Sequence, residues 1–212
     1  MKKYFVFCIS TSVLFAACSK DLAIPEPQII YPNYTPMTVG SYWVYDWYVV
    51  DSAGNTQQHP HTDSVYIAGD TIIGTDTFAI RVGTWFLGSP FRQYLRNLNG
   101  DLVTPSGSII FSATNFTDTL YISYINPNMK EYIIMMDIGE VVTLPIGTFS
   151  TVNAAHVWQR LNGIWDSCVG AYDIHDNQYA QNVGMVRTSW QFTGTSTCNV
   201  WEGRLRTYYI AP

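Results

Sequence analysis

The chain has little charge. Asp, Glu, Lys and Arg make up 13% of its 212 residues, against about 25% in an average globular protein. Eleven basic residues face 16 acidic ones, and the basic ones form no run. That balance excludes a phosphate-backbone partner, so nucleic acid is not expected. No apolar run reaches the roughly 20 residues a membrane-spanning helix needs. No stretch of ten residues carries a helical stripe. Signatures of chemistry are missing as well. There is no H-E-x-x-H, no paired C-x-x-C, no G-x-S-x-G elbow, no calcium-binding EF-hand loop and no glycine-rich phosphate cradle. What fills the space is polar and aromatic: Thr, Ser, Asn and Gln, with 15 Tyr, 10 Phe and 7 Trp. No catalytic residue and no cofactor is expected from this inventory.

The N-terminus has the pattern of a targeting segment. Lys2 and Lys3 precede an uncharged stretch from Tyr4 to Ala17, which is signal-peptide length and too short to span. It closes on Leu14-Phe15-Ala16-Ala17-Cys18. This resembles the lipobox read by bacterial lipoprotein signal peptidase, with Phe15 where that motif usually has Leu. The resemblance implies a signal peptide over residues 1–17, lipid on Cys18, and a membrane partner through that anchor. Two or more acyl chains hold durably where one is marginal. Ser19-Lys20-Asp21 is similar to the surface-export signal of Bacteroidetes-type lipoproteins, so the expected place is the outer membrane, on its periplasmic face or at the cell surface. Without residues 1–17, 9 basic residues stand against 16 acidic ones, a formal charge of −7. Two cysteines are then left for pairing, Cys168 and Cys198. In an oxidising compartment they form a candidate disulfide worth about 3 kcal/mol in the chain-entropy picture, the alternative being two free thiols.

Residues 18–37 hold Pro25, Pro27, Pro32 and Pro36 and suit an extended stalk. Residues 38–212 form one β domain. Over Ser41–Val50, Trp43, Tyr45, Trp47 and Val49 alternate with Tyr42, Val44, Asp46 and Tyr48. That is a strand whose second face is also partly covered. Ser64–Ala68 and Thr71–Ile73 are expected strands around a Gly69-Asp70 turn, followed by Phe78–Val82. Arg92–Leu98 and Asp101–Val103 flank Asn99-Gly100, the dipeptide that favours a two-residue hairpin. Later strands are expected at Thr119–Ile125, Glu131–Asp137, Glu140–Leu144, Thr151–Arg160, Met185–Phe192 and Asn199–Ile210. Thr193–Cys198 is expected as the turn of the closing hairpin. The fold class is all-β: one antiparallel sandwich or open (half) β-barrel of roughly 10 or more strands.

Three local patterns occur together. They are Pro36-Met37-Thr38-Val39-Gly40-Ser41-Tyr42-Trp43-Val44-Tyr45, then Pro145-Ile146-Gly147-Thr148-Phe149, then Tyr179-Ala180-Gln181-Asn182-Val183-Gly184-Met185-Val186. In this order they resemble a loose set of uncharacterised β-rich bacterial lipoproteins. The resemblance implies core roles for Trp43 and Tyr45 and turns at the glycines. It carries no catalytic residue. Asn182 stands where the set usually has Gly, and Asn tolerates the left-handed backbone such a turn needs.

Candidate sites follow from residue type. His59, His61 and Asp63 alternate onto one side of an extended segment and are weak candidates for a first-row metal. Gly54–Gln58 and Pro60 make a solvated hairpin tip the competing account. His175, between Asp173 and Asp176, is a second weak candidate for acid–base or metal chemistry. Trp85, Phe86 and Trp165 fall in loop-like stretches and are candidate ligand-binding aromatics, whereas Trp43, Trp47, Trp158 and Trp190 are expected in the core. The functional expectation is a non-enzymatic envelope binding or structural lipoprotein, taking a glycan on loop aromatics. The alternatives are a carrier of an apolar ligand or lipid in a half-barrel cavity, and a hydrolase acting on glycans.

Overall fold

The structure is a computed structural model that describes residues 29–191 and 197–212. The chain divides into two compact units, residues 1–30 and 31–212. In the first only Ile29 and Ile30 are described, and both are exposed. Cys18 lies outside the described residues, as does most of the expected turn at Thr193–Cys198.

In the second unit the described residues form twelve strands and no helix. They are β1 Tyr42–Val50, β2 Thr56–Ile73, β3 Asp76–Trp85, β4 Ser89–Leu98, β5 Asp101–Val103, β6 Ile109–Ser112, β7 Thr119–Asn126, β8 Met129–Leu144, β9 Gly147–Arg160, β10 Tyr172–Ala180, β11 Gly184–Gln191 and β12 Val200–Tyr209. All join one antiparallel sheet in the order β6-β5-β4-β3-β2-β1-β12-β11-β10-β9-β8-β7. Apart from the β1–β12 seam, every ladder joins strands adjacent in sequence. The two edge strands come round towards each other without a ladder between them. Phe111 of β6 packs in one cluster with Met135 of β8 and Val152 and Ala154 of β9, and the Ser112 amide donates to the Met135 Sδ at 3.4 Å. The sheet is therefore an open barrel that side-chain packing nearly closes, which decides between the two expected architectures.

The core is the concave face. Trp43, Tyr45 and Trp47 of β1 are buried, at 5%, 1% and 0% exposure, while Tyr42 on the opposite face is exposed. Two expected breaks are bulges inside long strands. The register slips between Ile67 and Gly69, so β2 runs on through Gly69-Asp70 rather than turning there. It slips again between Met136 and Glu140, which joins two expected strands into β8. A bulge bends and twists a strand without ending it, and both sharpen the curl of the sheet. The Asn99-Gly100 hairpin lies where the dipeptide places it, and Asn182 is left-handed, at φ 61°. Two strands, β6 and β10, were not expected.

Packing extends before Thr38. Tyr34 meets Phe111 at 5.5 Å between ring centroids. Thr35 exchanges side-chain and backbone hydrogen bonds with Asn97 at 2.7 and 2.8 Å, and Met37 packs on both hydrophobic clusters. From Tyr31 onward the segment expected as stalk belongs to the domain.

Candidate functional site

Alternation along β10 puts Asp173, His175, Asn177 and Tyr179 on one face. Their ladder partners are Trp158 and His156 on β9 and Thr188 and Met185 on β11. The curl carries this wall opposite Arg81 and Trp85 of β3 and Phe91 and Gln93 of β4. Between them lies a cavity of about 440 Å³, with Ile110, Ile133 and Trp190 completing its apolar surfaces. Half of the lining residues are polar and half apolar. Such a volume is that of a small-molecule site.

His156, His175 and Trp190 of this wall belong to a cluster completed by Glu131, Asp173 and Trp158, which do not line the cavity. His156 Nε2 approaches Glu131 at 3.3 Å, and His175 Nε2 approaches Asp173 at 3.4 Å. The two imidazoles stand 6.3 Å apart between centroids. His175 is stacked between Trp158, at 5.8 Å, and Trp190, at 5.7 Å. Burial pushes the His156 imidazole below its ordinary range; Glu131 pulls the other way, and His175 adds to the depression. His156 is thereby favoured as a neutral ring. Three buried polar atoms of this cluster, His156 Nε2, Trp158 Nε1 and Asp173 Oδ1, have no hydrogen-bond partner among the described residues. The approach of Glu131 to His156 is close enough to act electrostatically but lacks hydrogen-bond geometry. Buried polar atoms are usually partnered; of these three residues only His156 lines the cavity, so its imidazole, with that of His175, is what this end presents to a ligand.

Arg81 is half-buried on another part of the wall. Its Nη1 donates to Gln93 Oε1 at 3.3 Å, and its guanidinium lies 5.6 Å from the Phe91 ring centre. No carboxylate pairs with it among the described residues, unlike Arg96 with Asp76 or Arg204 with Glu202. Burial pushes the phenols of Tyr45 and Tyr179 above the ordinary tyrosine range, opposed in both by the charge of Arg81. Both remain protonated at neutral pH. The Tyr45 hydroxyl donates to the Met185 carbonyl at 2.9 Å, whereas the Tyr179 hydroxyl bonds to no described residue.

The residues singled out from sequence are divided by the fold. His59, His61 and Asp63 lie within β2, not at a hairpin tip, which is formed by Asp51–Asn55. Asp63 is fully buried and occupied. It accepts from Trp47 Nε1 at 2.6 Å and from the Gly88 amide at 2.9 Å, with His61 at 3.2 Å. His59 packs on Trp201, 5.5 Å between centroids. Among the described residues no group of three His, Cys, Asp or Glu is placed to hold a metal ion. Trp85 and Phe86 both pack edge-on to Trp47, and Trp85 lines the cavity. Trp165 is separate. Its indole donates to the Trp158 carbonyl at 3.1 Å, and Arg160 lies 4.5 Å over its ring. The three therefore share no platform. Trp158 and Trp190, expected in the core, are half-buried against His175, and Trp190 lines the cavity. Cys168 and Cys198 form a disulfide, 5.2 Å between Cα atoms. Arg81, Glu131 and His156 went unremarked in the sequence. Arg81 and His156 each interrupt a short apolar run, Ile80-Arg81-Val82 and Ala155-His156-Val157, whereas Glu131 follows Lys130 and carries no such signal.

No family model matches the chain, and no curated protein does. Two solved structures are similar. One is a "putative lipoprotein" from Parabacteroides distasonis ATCC 8503, at 16% identity and a TM-score of 0.43 over 85% of this chain and 100% of that one. The other is a "putative exported protein with YmcC-like fold" from Bacteroides fragilis NCTC 9343, at 13% identity and a TM-score of 0.45 over the same shares. At these scores neither likeness carries an argument about this chain.

Proposed function

We propose that this is a non-enzymatic binding protein of the cell envelope, tethered by lipid on Cys18, which encloses a small ligand in its half-barrel. The observation that carries the reading is the cavity of about 440 Å³ on the concave face, walled by Trp85, Phe91 and Trp190 on a scaffold of continuous strands. Rings on rigid strands give contact area at little entropic cost. The mixed lining favours a compact ligand with one apolar face over a long acyl chain. A sugar platform built from Trp85, Phe86 and Trp165 is less well supported, because Trp165 keeps different company from the other two.

The test is to purify the full chain from the envelope of a producing bacterium into lipid nanodiscs, extract it with solvent and compare the extract with that of empty nanodiscs by mass spectrometry. A stoichiometric small molecule present with the wild type and lost on filling the cavity by Ala154→Trp supports the reading. An extract identical to the blank, together with no binding of added small aromatics, sinks it. Mass spectrometry of the Cys18 peptide tests the tether, which predicts a diacylglyceryl mass on that residue.

A further inference from the structure

Arg81 is the least compensated charge in the cavity wall. A guanidinium is always protonated and offers five donors; here one goes to Gln93 and the face rests near Phe91. The side chain lines both the main cavity and a small apolar space behind it, bounded by Trp43, Tyr45, Ile67 and Leu102. The guanidinium is partly solvated and meets no carboxylate among the described residues, so donors remain to meet an anionic group that enters the cavity. Tyr179 lines the same two spaces, and its hydroxyl bonds to no described residue. Glu131 and Asp173 stand beside His156 and His175, and neither carboxylate lines the cavity that Arg81 enters.

Resting on the binding reading above, we infer that the ligand is an organic carboxylate, its acid group held by Arg81 and the Tyr179 hydroxyl and its apolar face laid against Trp85, Phe91 and Trp190. Arginine suits a carboxylate because its fork meets two oxygens at once. The aromatic side chains supply area for a ring or short hydrocarbon body. The end lined by His156, His175 and Asn177 offers further polar groups to substituents.

The test uses a matched pair of probes, 2-naphthoate and 2-naphthamide, which share a body and differ in charge. Each is titrated calorimetrically into the full chain in nanodiscs, with empty nanodiscs as the blank. The expected result is naphthoate binding at least about tenfold tighter than naphthamide, the order expected for one charge-assisted contact. Arg81→Gln abolishes that preference while keeping naphthamide affinity, and Arg81→Lys retains part of it. Arg92→Gln, on the opposite face of β4, changes neither. Equal binding of the two probes, or a preference that survives Arg81→Gln, overturns the carboxylate assignment and leaves the binding reading standing. Failure of both probes to bind at millimolar concentration overturns both. Retained naphthamide binding also shows that the Arg81 variant is folded.

Discussion

Trp47 donates its indole N–H to Asp63 at 2.6 Å, and both side chains are completely buried. The bond fixes more than the pair. The other carboxylate oxygen accepts from Gly88, in a turn where Phe86, Leu87 and Gly88 all have positive φ, at 50°, 59° and 91°. Two non-glycine residues in that region cost free energy that the surroundings must offset. Asp63 does so from the neighbouring strand, and Phe86 is thereby set against Trp47, Trp190 and Trp201. Asp63→Ala should lower stability by about 2–4 kcal/mol, since it strands buried donors that had a charged partner. Urea denaturation checks this. A loss under about 0.5 kcal/mol, the scale of an ordinary surface change, would show that the turn holds itself.

A purely steric demand sits beside the same ring. Gly203 has ordinary backbone angles, yet an added Cβ would lie 2.9 Å from the Trp47 ring and 3.0 Å from the Thr188 methyl. Trp47 crosses the inner face of β12 only because that position has no side chain. Gly203→Ala should destabilise by about 1–3 kcal/mol through overpacking, read as a lower midpoint in thermal unfolding. Restoration by a smaller residue at 47 would locate the clash; an unchanged midpoint would refute it.

Legibility followed the kind of residue on the inner face. β1 was readable because Trp43, Tyr45 and Trp47 alternate with residues of a different character, so period two stands out. β10 was not, because its inner positions are Asp173, His175 and Asn177. Hydrophobic alternation cannot reveal a strand whose buried face is polar, so the strand is hidden, and residue type alone points to His175 with Asp173 and Asp176. The bulges at Gly69 and near Gly139 mimic turns, since glycine serves both. Arg81 lies between Ile80 and Val82, a run with no visible inside or outside. That it faces His156 and His175 depends on how far the whole sheet curls, which no local pattern encodes.

The state of His156 makes stability depend on pH. Burial holds its pKa below the ordinary value of about 6.5, so the unfolded chain takes up the proton first. Stability from this group is complete above pH about 6.5 and is lost as pH falls from there towards the depressed folded value. The wild type should therefore lose more thermal stability between pH 7.5 and pH 5.5 than His156→Gln does. Carboxylates common to both proteins cancel in that comparison. Parallel curves for the two proteins would contradict the assignment.

The Cys168–Cys198 disulfide spans a sequence separation of 30 residues. Inside that loop lie β10 and β11, which supply His175, Asn177, Tyr179, Met185, Thr188 and Trp190 to the cavity. Opening it should cost about 3–4 kcal/mol by the loop-entropy relation. Paired Cys168→Ser and Cys198→Ser changes, followed by urea unfolding, measure that cost. The same double variant should bind 2-naphthoate more weakly, because its ends are no longer pinned. A stability loss with unchanged binding would mean that the ladders to β9 and β12 alone fix the wall.

Trp85 and Trp165 separate the cavity from the loop surface as the place of binding. Trp85 sits at the end of β3, edge-on to Tyr45 at 5.0 Å and to Trp47 at 5.5 Å, with a face to the cavity. Its removal takes away ligand contact and also loosens the core, so binding must be compared at matched folded fractions. Trp165 contacts the Trp158 backbone and Arg160 and does not line the cavity. Trp85→Leu should weaken 2-naphthoate by about tenfold, the worth of one good ring contact of about 1.4 kcal/mol, while Trp165→Leu leaves it unchanged. The reverse ranking would move the ligand onto the loop between β9 and β10, where the sequence alone had placed one of its three candidate aromatics. Only the cavity reading requires Trp85 to matter and Trp165 not to.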